Sequence, residues 1–214
     1  MNQLSVTIER IRAVFESKNA ARDIAYGRSR RLTRYCANAI RAAHRTDWDC
    51  ARSLLAEART AARELVRDLA DYPDLYYAGY TQDAMKEWVE AECTCALIAG
   101  QPLPVPGELQ VEQAAYLNGL AEAANEMRRH SLNLMREDKL DRAEEILQAM
   151  DEIYALLVTV DFPDAITGGL RRRIDSLRGV LERTRGDLTL AVRQQRLRRA
   201  LHEFGEKMEM YRRK

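Results

Sequence analysis

Residues 116–134 read YLNGLAEAANEMRRHSLNL, and in this run Tyr116, Leu120, Ala124, Met127, Ser131 and Leu134 recur every three or four positions. That is the period of one helical face, not the alternation of a strand. The surrounding sequence divides the same way. Upstream, Gln101-Pro102-Leu103-Pro104-Val105-Pro106-Gly107 reads as a loop, because proline removes a backbone donor and ends helices. A segment from Thr81 or Gln82 to Gly100 precedes it. Tyr72-Pro73-Asp74 closes a segment that Thr46 and Asp47 open and that ends near Asp71. Asn19 reads as the cap of a segment from Ala20 to Arg45, after a first segment ending near Ser17. The quoted run itself belongs to a segment from Glu108 to about Arg136. Downstream, a segment runs from Asp138 to near Val160. Asp161-Phe162-Pro163-Asp164 and Gly168-Gly169 then punctuate the entry to a last long segment, in which Gly179 and Gly186 are weak points. These signals predict an all-α fold: one antiparallel bundle of about seven helices, with residues 1–214 forming a single domain.

Composition agrees. The chain has 214 residues, 46% of them hydrophobic, enough apolar surface for a sizeable core, and only 5 prolines. The net charge of +1 selects no partner by itself. Its distribution says more: basic residues prevail from Arg12 to Arg63 and from Arg171 to Lys214, acidic ones from Asp83 to Asp164. Such blocks either hold cations in one place and phosphates in another or mix once the chain folds. Cys36, Cys50, Cys93 and Cys95 form no CxxC pair, so they read as thiols of a reducing compartment rather than zinc ligands. The N-terminus lacks the apolar core of a secretion signal and no apolar run is long enough to span a bilayer, which predicts a cytoplasmic protein that does not enter membranes.

Two helices carry paired carboxylates. In Lys86-Glu87-Trp88-Val89-Glu90-Ala91 the two glutamates are three apart and share a face. Ala84, Trp88, Ala91, Cys95 and Ile98 form the apolar seam of that helix, with Glu87 at its edge. In the quoted run Glu122 and Glu126, four apart, share a stripe with Ala115, Gly119 and Ala123, small residues that allow a neighbouring backbone to come close. Like charges at such spacing repel, and burial raises the cost. A divalent cation between the helices would cancel it, and oxygen-only ligands suit Mg²⁺ or Mn²⁺. The residues alone leave open the plainer reading, ordinary surface glutamates on charged helices. His130, one turn beyond Glu126, reads as a partner for it or as a surface residue; His44 and His202 have no evident context. No GxSxG, P-loop or GxGxxG pattern occurs in a fitting setting, which argues against serine, nucleotide-loop and dinucleotide chemistry.

Arg31, Arg34, Arg41 and Arg45 form a stripe on one helix, flanked by Arg28 and Arg30, with Tyr35 interleaved where it could stack on a base. Arg171-Arg172-Arg173 with Arg178, and Arg193, Arg196, Arg198 and Arg199 in the tail, are further basic clusters. Phosphate contact and pairing with the acidic helices are both open readings.

Several stretches, taken in order, resemble the translin family on its translin-associated factor X branch, and prokaryotic members most of all. They are Phe15-Glu16-Ser17, Arg28-Ser29-Arg30-Arg31-Leu32-Thr33, Ile40-Arg41-Ala42-Ala43-His44-Arg45, Lys86 to Ala91, Tyr116 to Glu122, Asn125-Glu126-Met127-Arg128, and the run from Asp161 to Thr189. The resemblance implies a bundle of about seven helices that assembles into a closed, hollow oligomer, a hexamer or octamer, around nucleic acid, with itself or with a translin-like partner subunit. It also implies that Glu87, Glu90, Glu122 and Glu126 bind Mg²⁺ and cleave RNA. Glu122 departs from the family pattern, which has aspartate there. Tyr76-Tyr77 is followed by Ala78-Gly79-Tyr80-Thr81-Gln82-Asp83-Ala84 rather than by a basic, histidine-rich segment, which favours the catalytic branch.

The expectation is therefore a Mg²⁺- or Mn²⁺-dependent endoribonuclease acting on RNA, single-stranded by preference. The alternatives are a non-catalytic oligomer that binds single-stranded RNA or DNA through its arginines, and a helical nucleotide pyrophosphohydrolase, which also uses ExxE glutamates.

Overall fold

The computed structural model describes residues 2–212, and among them there are helices and no strands. Six helices are long: α1 (Asn2–His44), α2 (Trp48–Asp68), α4 (Gly79–Ala99), α6 (Gln113–Arg136), α7 (Leu140–Leu157) and α9 (Leu170–Arg212). Three are single turns in the connections: α3 (Pro73–Tyr76), α5 (Pro106–Leu109) and α8 (Asp164–Thr167).

The two helices expected before Arg45 are one. No proline or glycine interrupts residues 2–26, and Asn19 donates through Nδ2 to Asp23 Oδ2, 3.4 Å away and one turn on, instead of capping. Asp47 does cap α2, accepting from the Cys50 amide at 3.2 Å. Pro106 and Gly107 lie in the single turn α5, and Gln110 at φ 56 separates it from α6. Helix α9 passes through Gly179 and Gly186 unbroken, because Leu177, Leu181, Thr184 and Leu188 keep one face buried on either side of them.

Helices α4 and α6 lie against each other at the centre. Helix α1 packs on α2 and α4, while α7 and α9 pack on α6 and on each other. One cluster of buried side chains joins these elements. Trp88 is its largest member, and Ala84, Ala91, Cys95 and Ile98 are buried with it, as the seam predicted. Cys36 and Cys93 are buried too, and all four thiols are free.

The far ends of the two 43-residue helices leave this body. Each helix is about 65 Å long at 1.5 Å per residue. Leu4, Ile8, Ile11 and Phe15 on α1, and Leu197, Leu201, Phe204, Met208 and Tyr211 on α9, are all exposed and alternate in steps of four and three. That spacing is the a/d seam of helices that pair.

Candidate metal centre

The close approach of α4 and α6 is set by Gly119. A Cβ at this position would lie 2.6 Å from the Lys86 carbonyl oxygen and 2.6 Å from Val89 Cβ, so only glycine fits. The contact brings the edge of the α4 seam against the stripe that carries Glu122. Glu87, Glu90 and Glu122 converge there, each offering a carboxylate oxygen within 4.8 Å of the others, all three half-buried.

Two cations hold this cluster together. Lys86 Nζ lies between the helices, donating to Glu122 Oε2 at 2.6 Å and pairing with Glu87 Oε1 at 2.9 Å. Arg173, from the first turn of α9, donates through Nε to Glu122 Oε1 at 2.7 Å. Burial pushes the Glu90 carboxyl up to about 8, and the charges of Glu87 and Glu122 add to that. Burial acts on Glu122 in the same direction, but hydrogen bonds from Lys86 and Arg173 outweigh it and hold its carboxyl below the ordinary range. Burial opposes the charge on Lys86, and its bonds to Glu122 and Glu87 prevail and raise it, so the amine stays protonated. The donor set fits a hard divalent cation: oxygens only, from two rigid helices, already arranged around a positive group. Three carboxylates suffice for an ion such as Mg²⁺ that keeps several waters.

Glu126 does not join the three. It accepts from His44 Nε2 at 2.7 Å and lies 3.4 Å from Arg129 Nη1. The His44 bond holds its carboxyl below the ordinary range against the effect of burial. His44 arrives from the end of α1, and its Nδ1 is buried with no hydrogen-bond partner among the described residues. His130 lies beside His44, ring centroids 6.1 Å apart, and not on Glu126; burial, then the neighbouring His44 and Arg142, lowers it to about 4. Sequence spacing could not find His44, 82 residues from its partner, nor Arg173, 51 residues from Glu122. Arg173 belongs to the triplet whose sequence leaves phosphate contact and pairing with the acidic helices both open; its side chain turns inward and pairs with Glu122.

Two grooves lie beside this cluster, and Lys86 belongs to the wall of both. Between α1 and α4, Arg30, Arg34 and Arg41 line a groove whose wall also includes Lys86 and Glu87. Arg31 on α1 and Arg45, in the turn just past its end, are exposed outside that groove. Arg41 donates to Asn38 at 2.7 Å, and no carboxylate among the described residues pairs with any of the four arginines of the stripe. Tyr35 packs against the core, and the aromatic residues lining this groove are Tyr26, 47% exposed, and Tyr80, which meets it edge to face. On the other side Gln82, Gln113, Asn118, Ile166 and Arg173 line the second groove.

No protein-family model matches the chain. An uncharacterised protein of Methanocaldococcus jannaschii is 31% identical over 187 residues, 86% of this chain and 82% of that protein. Among solved structures, that of AfC3PO in a complex with duplex RNA is similar at a TM-score of 0.81 and 32% identity, over 86% of this chain and 96% of that one. A crystal structure of AfC3PO gives 0.80 at the same identity and coverage. Apo-NeC3PO gives 0.79 over 86% of this chain and 96% of that one, at 20% identity, a likeness of fold. No helix among the described residues is long and apolar enough to cross a membrane.

Proposed function

The chain belongs to the translin family, and we propose that it is a metal-dependent endoribonuclease of the translin-associated factor X branch. The observation that carries the reading is the convergence of Glu87, Glu90 and Glu122 beside an arginine-lined groove to which Lys86 and Glu87 contribute. A similar chain, AfC3PO, is found with duplex RNA, which supports RNA as the polymer.

Each residue has work that follows from its place. Glu87, Glu90 and Glu122 would hold Mg²⁺ or Mn²⁺, with Lys86 giving way as the ion enters. When bound, the ion lowers the pKa of a water and neutralises charge on a phosphate. Arg30, Arg34 and Arg41 hold the backbone phosphates that approach along α1, and Tyr26 offers a face for an unpaired base. Glu126, kept ionised by His44 and one turn from Glu122, is the carboxylate left to accept a proton from the attacking water. The arginines of the first groove are placed to meet phosphates rather than base edges, so cleavage has little sequence preference. The exposed seams on α1 and α9 supply surfaces for self-assembly, in keeping with a hollow homo-oligomer, and leave room for a translin-like partner subunit.

The test is cleavage of labelled single-stranded and duplex RNA with Mg²⁺, Mn²⁺ or EDTA, beside Glu87→Ala and Glu90→Ala. Metal-dependent cleavage that both variants lose is the expected result. Cleavage that survives in both would sink the site. One observation favours a second reading, a binding assembly without catalysis: Lys86 already satisfies the carboxylates from within the chain. RNA that is bound but left intact in every metal would establish it.

A further inference from the structure

Glu122 presents its two oxygens to different partners. Oε2 faces Lys86 Nζ, which also meets Glu87 Oε1, so Oε2 is the oxygen turned toward Glu87. Oε1 faces Arg173. A guanidinium that merely neutralised a carboxylate would bind it with two parallel bonds and occupy both oxygens. Arg173 instead uses Nε alone. Its Nη1 is committed elsewhere, donating to Asn118 Oδ1 at 3.0 Å and to the Gly168 carbonyl at 3.3 Å.

The anchors of Arg173 are themselves fixed. Asn118 is 4% exposed and donates to the carbonyls of Ala114 at 2.7 Å and Thr167 at 2.6 Å. Gly168, at φ 61, ends α8 in the left-handed conformation, and Gly169, at φ 83, turns the chain into α9. That double turn aims the first turn of α9, and with it Arg173, back at α6. A chain of hydrogen bonds thus runs from the backbone at the end of α8 to one oxygen of Glu122. Glutamate has three rotatable side-chain bonds, and holding one rotamer costs entropy that a rigid partner removes in advance.

We propose that Arg173 is a positioning residue, which fixes Glu122 so that Oε2 faces Glu87 and can ligate a divalent cation. The proposal rests on the metal-centre reading above. It differs from a charge effect in sign. By charge alone, removing a cation beside a metal site tightens metal binding. Removing a positioning residue weakens it.

Mn²⁺ affinity of the full chain, measured by electron paramagnetic resonance of the free ion and by calorimetry, separates the two. Loss of a group that orients a ligand costs about tenfold or more in metal affinity, the weakening expected for Arg173→Gln. Arg173→Lys keeps the charge but cannot reach both Glu122 and Asn118, so it shows a similar loss and carries the comparison if the first variant does not fold. Glu122→Asp shortens the arm by one methylene and withdraws it from Arg173. In that background Arg173→Gln changes the affinity by less than about twofold, since coupling vanishes when one partner is already lost. Unchanged or tighter Mn²⁺ binding in Arg173→Gln, or the same loss in both backgrounds, overturns the proposal while leaving the metal centre in place. Absence of Mn²⁺ binding by the unaltered protein overturns the metal centre itself, and the role of Arg173 with it.

Discussion

Replacing Gly119 with alanine tests the closest point of the structure. The new Cβ would stand 2.6 Å from the Lys86 carbonyl oxygen, 2.6 Å from Val89 Cβ and 2.8 Å from Val89 Cγ1. Non-bonded carbon atoms sit comfortably at about 3.5–4.0 Å, so α4 and α6 must separate by roughly 1 Å at this level. None of the relief can come from a swinging side-chain tip, because two of the three atoms are a backbone oxygen and a Cβ. Overpacking of this kind costs about 1–3 kcal/mol, offset by about 1 kcal/mol of helix propensity gained over glycine. A net loss of about 1 kcal/mol lowers Tm by roughly 2–4 °C in a chain of this size. The displaced carbonyl belongs to Lys86, next to Glu87, so Mn²⁺ affinity falls as well. Thermal melts followed by circular dichroism would measure the first effect and metal titration the second. Gly186→Ala is the control: nothing lies within 4 Å of its Cβ, and it gains up to about 1 kcal/mol in a helix interior. A Gly119→Ala protein that melts at or above the unaltered one would refute the packing argument.

Two further outcomes follow from the same structure. Glu90 keeps its proton up to about 8 in the metal-free fold, against an ordinary 4.5. An unfolded chain has released that proton already, so Glu90 costs the metal-free fold stability as pH rises from 4.5 through 8, whereas a bound cation needs the proton gone. Addition of Mg²⁺ therefore raises Tm more at pH 8.5 than at pH 6 (a choice of about half a unit above 8 and two below), and an equal rise at both would remove Glu90 from the ligand set. At the other end of the molecule, Leu201→Glu together with Phe204→Glu puts charge into the exposed seam of α9. Light scattering after size exclusion should show a smaller assembly with an unchanged helical spectrum, and an unaltered mass would mean that the seam is not an interface.

Much of the fold was legible because its determinants are local. The buried seam from Ala84 to Ile98 follows from a period of 3.6, and Asp47 caps α2 because its side chain reaches an amide three residues on. The error at Asn19 has a local cause too: a residue that favours caps is tolerated inside a helix when its side chain bonds along the surface, as Asn19 does with Asp23. The one-turn helices were not legible, since a single turn leaves no periodicity. At the candidate site, the spacing placed Glu87, Glu90, Glu122 and Glu126 on two helical faces, and Gly119 hinted that the faces approach. It could not show that Glu126 turns away to His44, or that Lys86 and Arg173 turn inward. Those choices depend on which helix ends meet, and α1, α4, α6 and α9 meet only through the tertiary fold.

The placement of the acidic residues also explains why the cations are where they are. Gly119 makes the α4–α6 contact close, and a close contact is what a rigid ligand set needs. The same closeness forces three carboxyl groups into a half-buried space, where repulsion between those that are charged would drive the helices apart. Lys86 and Arg173 answer that repulsion from within the chain, and they do so unequally. Lys86 sits between the Glu87 and Glu122 oxygens, where the proposed ion would displace it. Arg173 sits on the outer oxygen of Glu122, anchored by Asn118 and Gly168, and can remain. On this reading one cation offsets the charge of the carboxylates, and the other holds their shape.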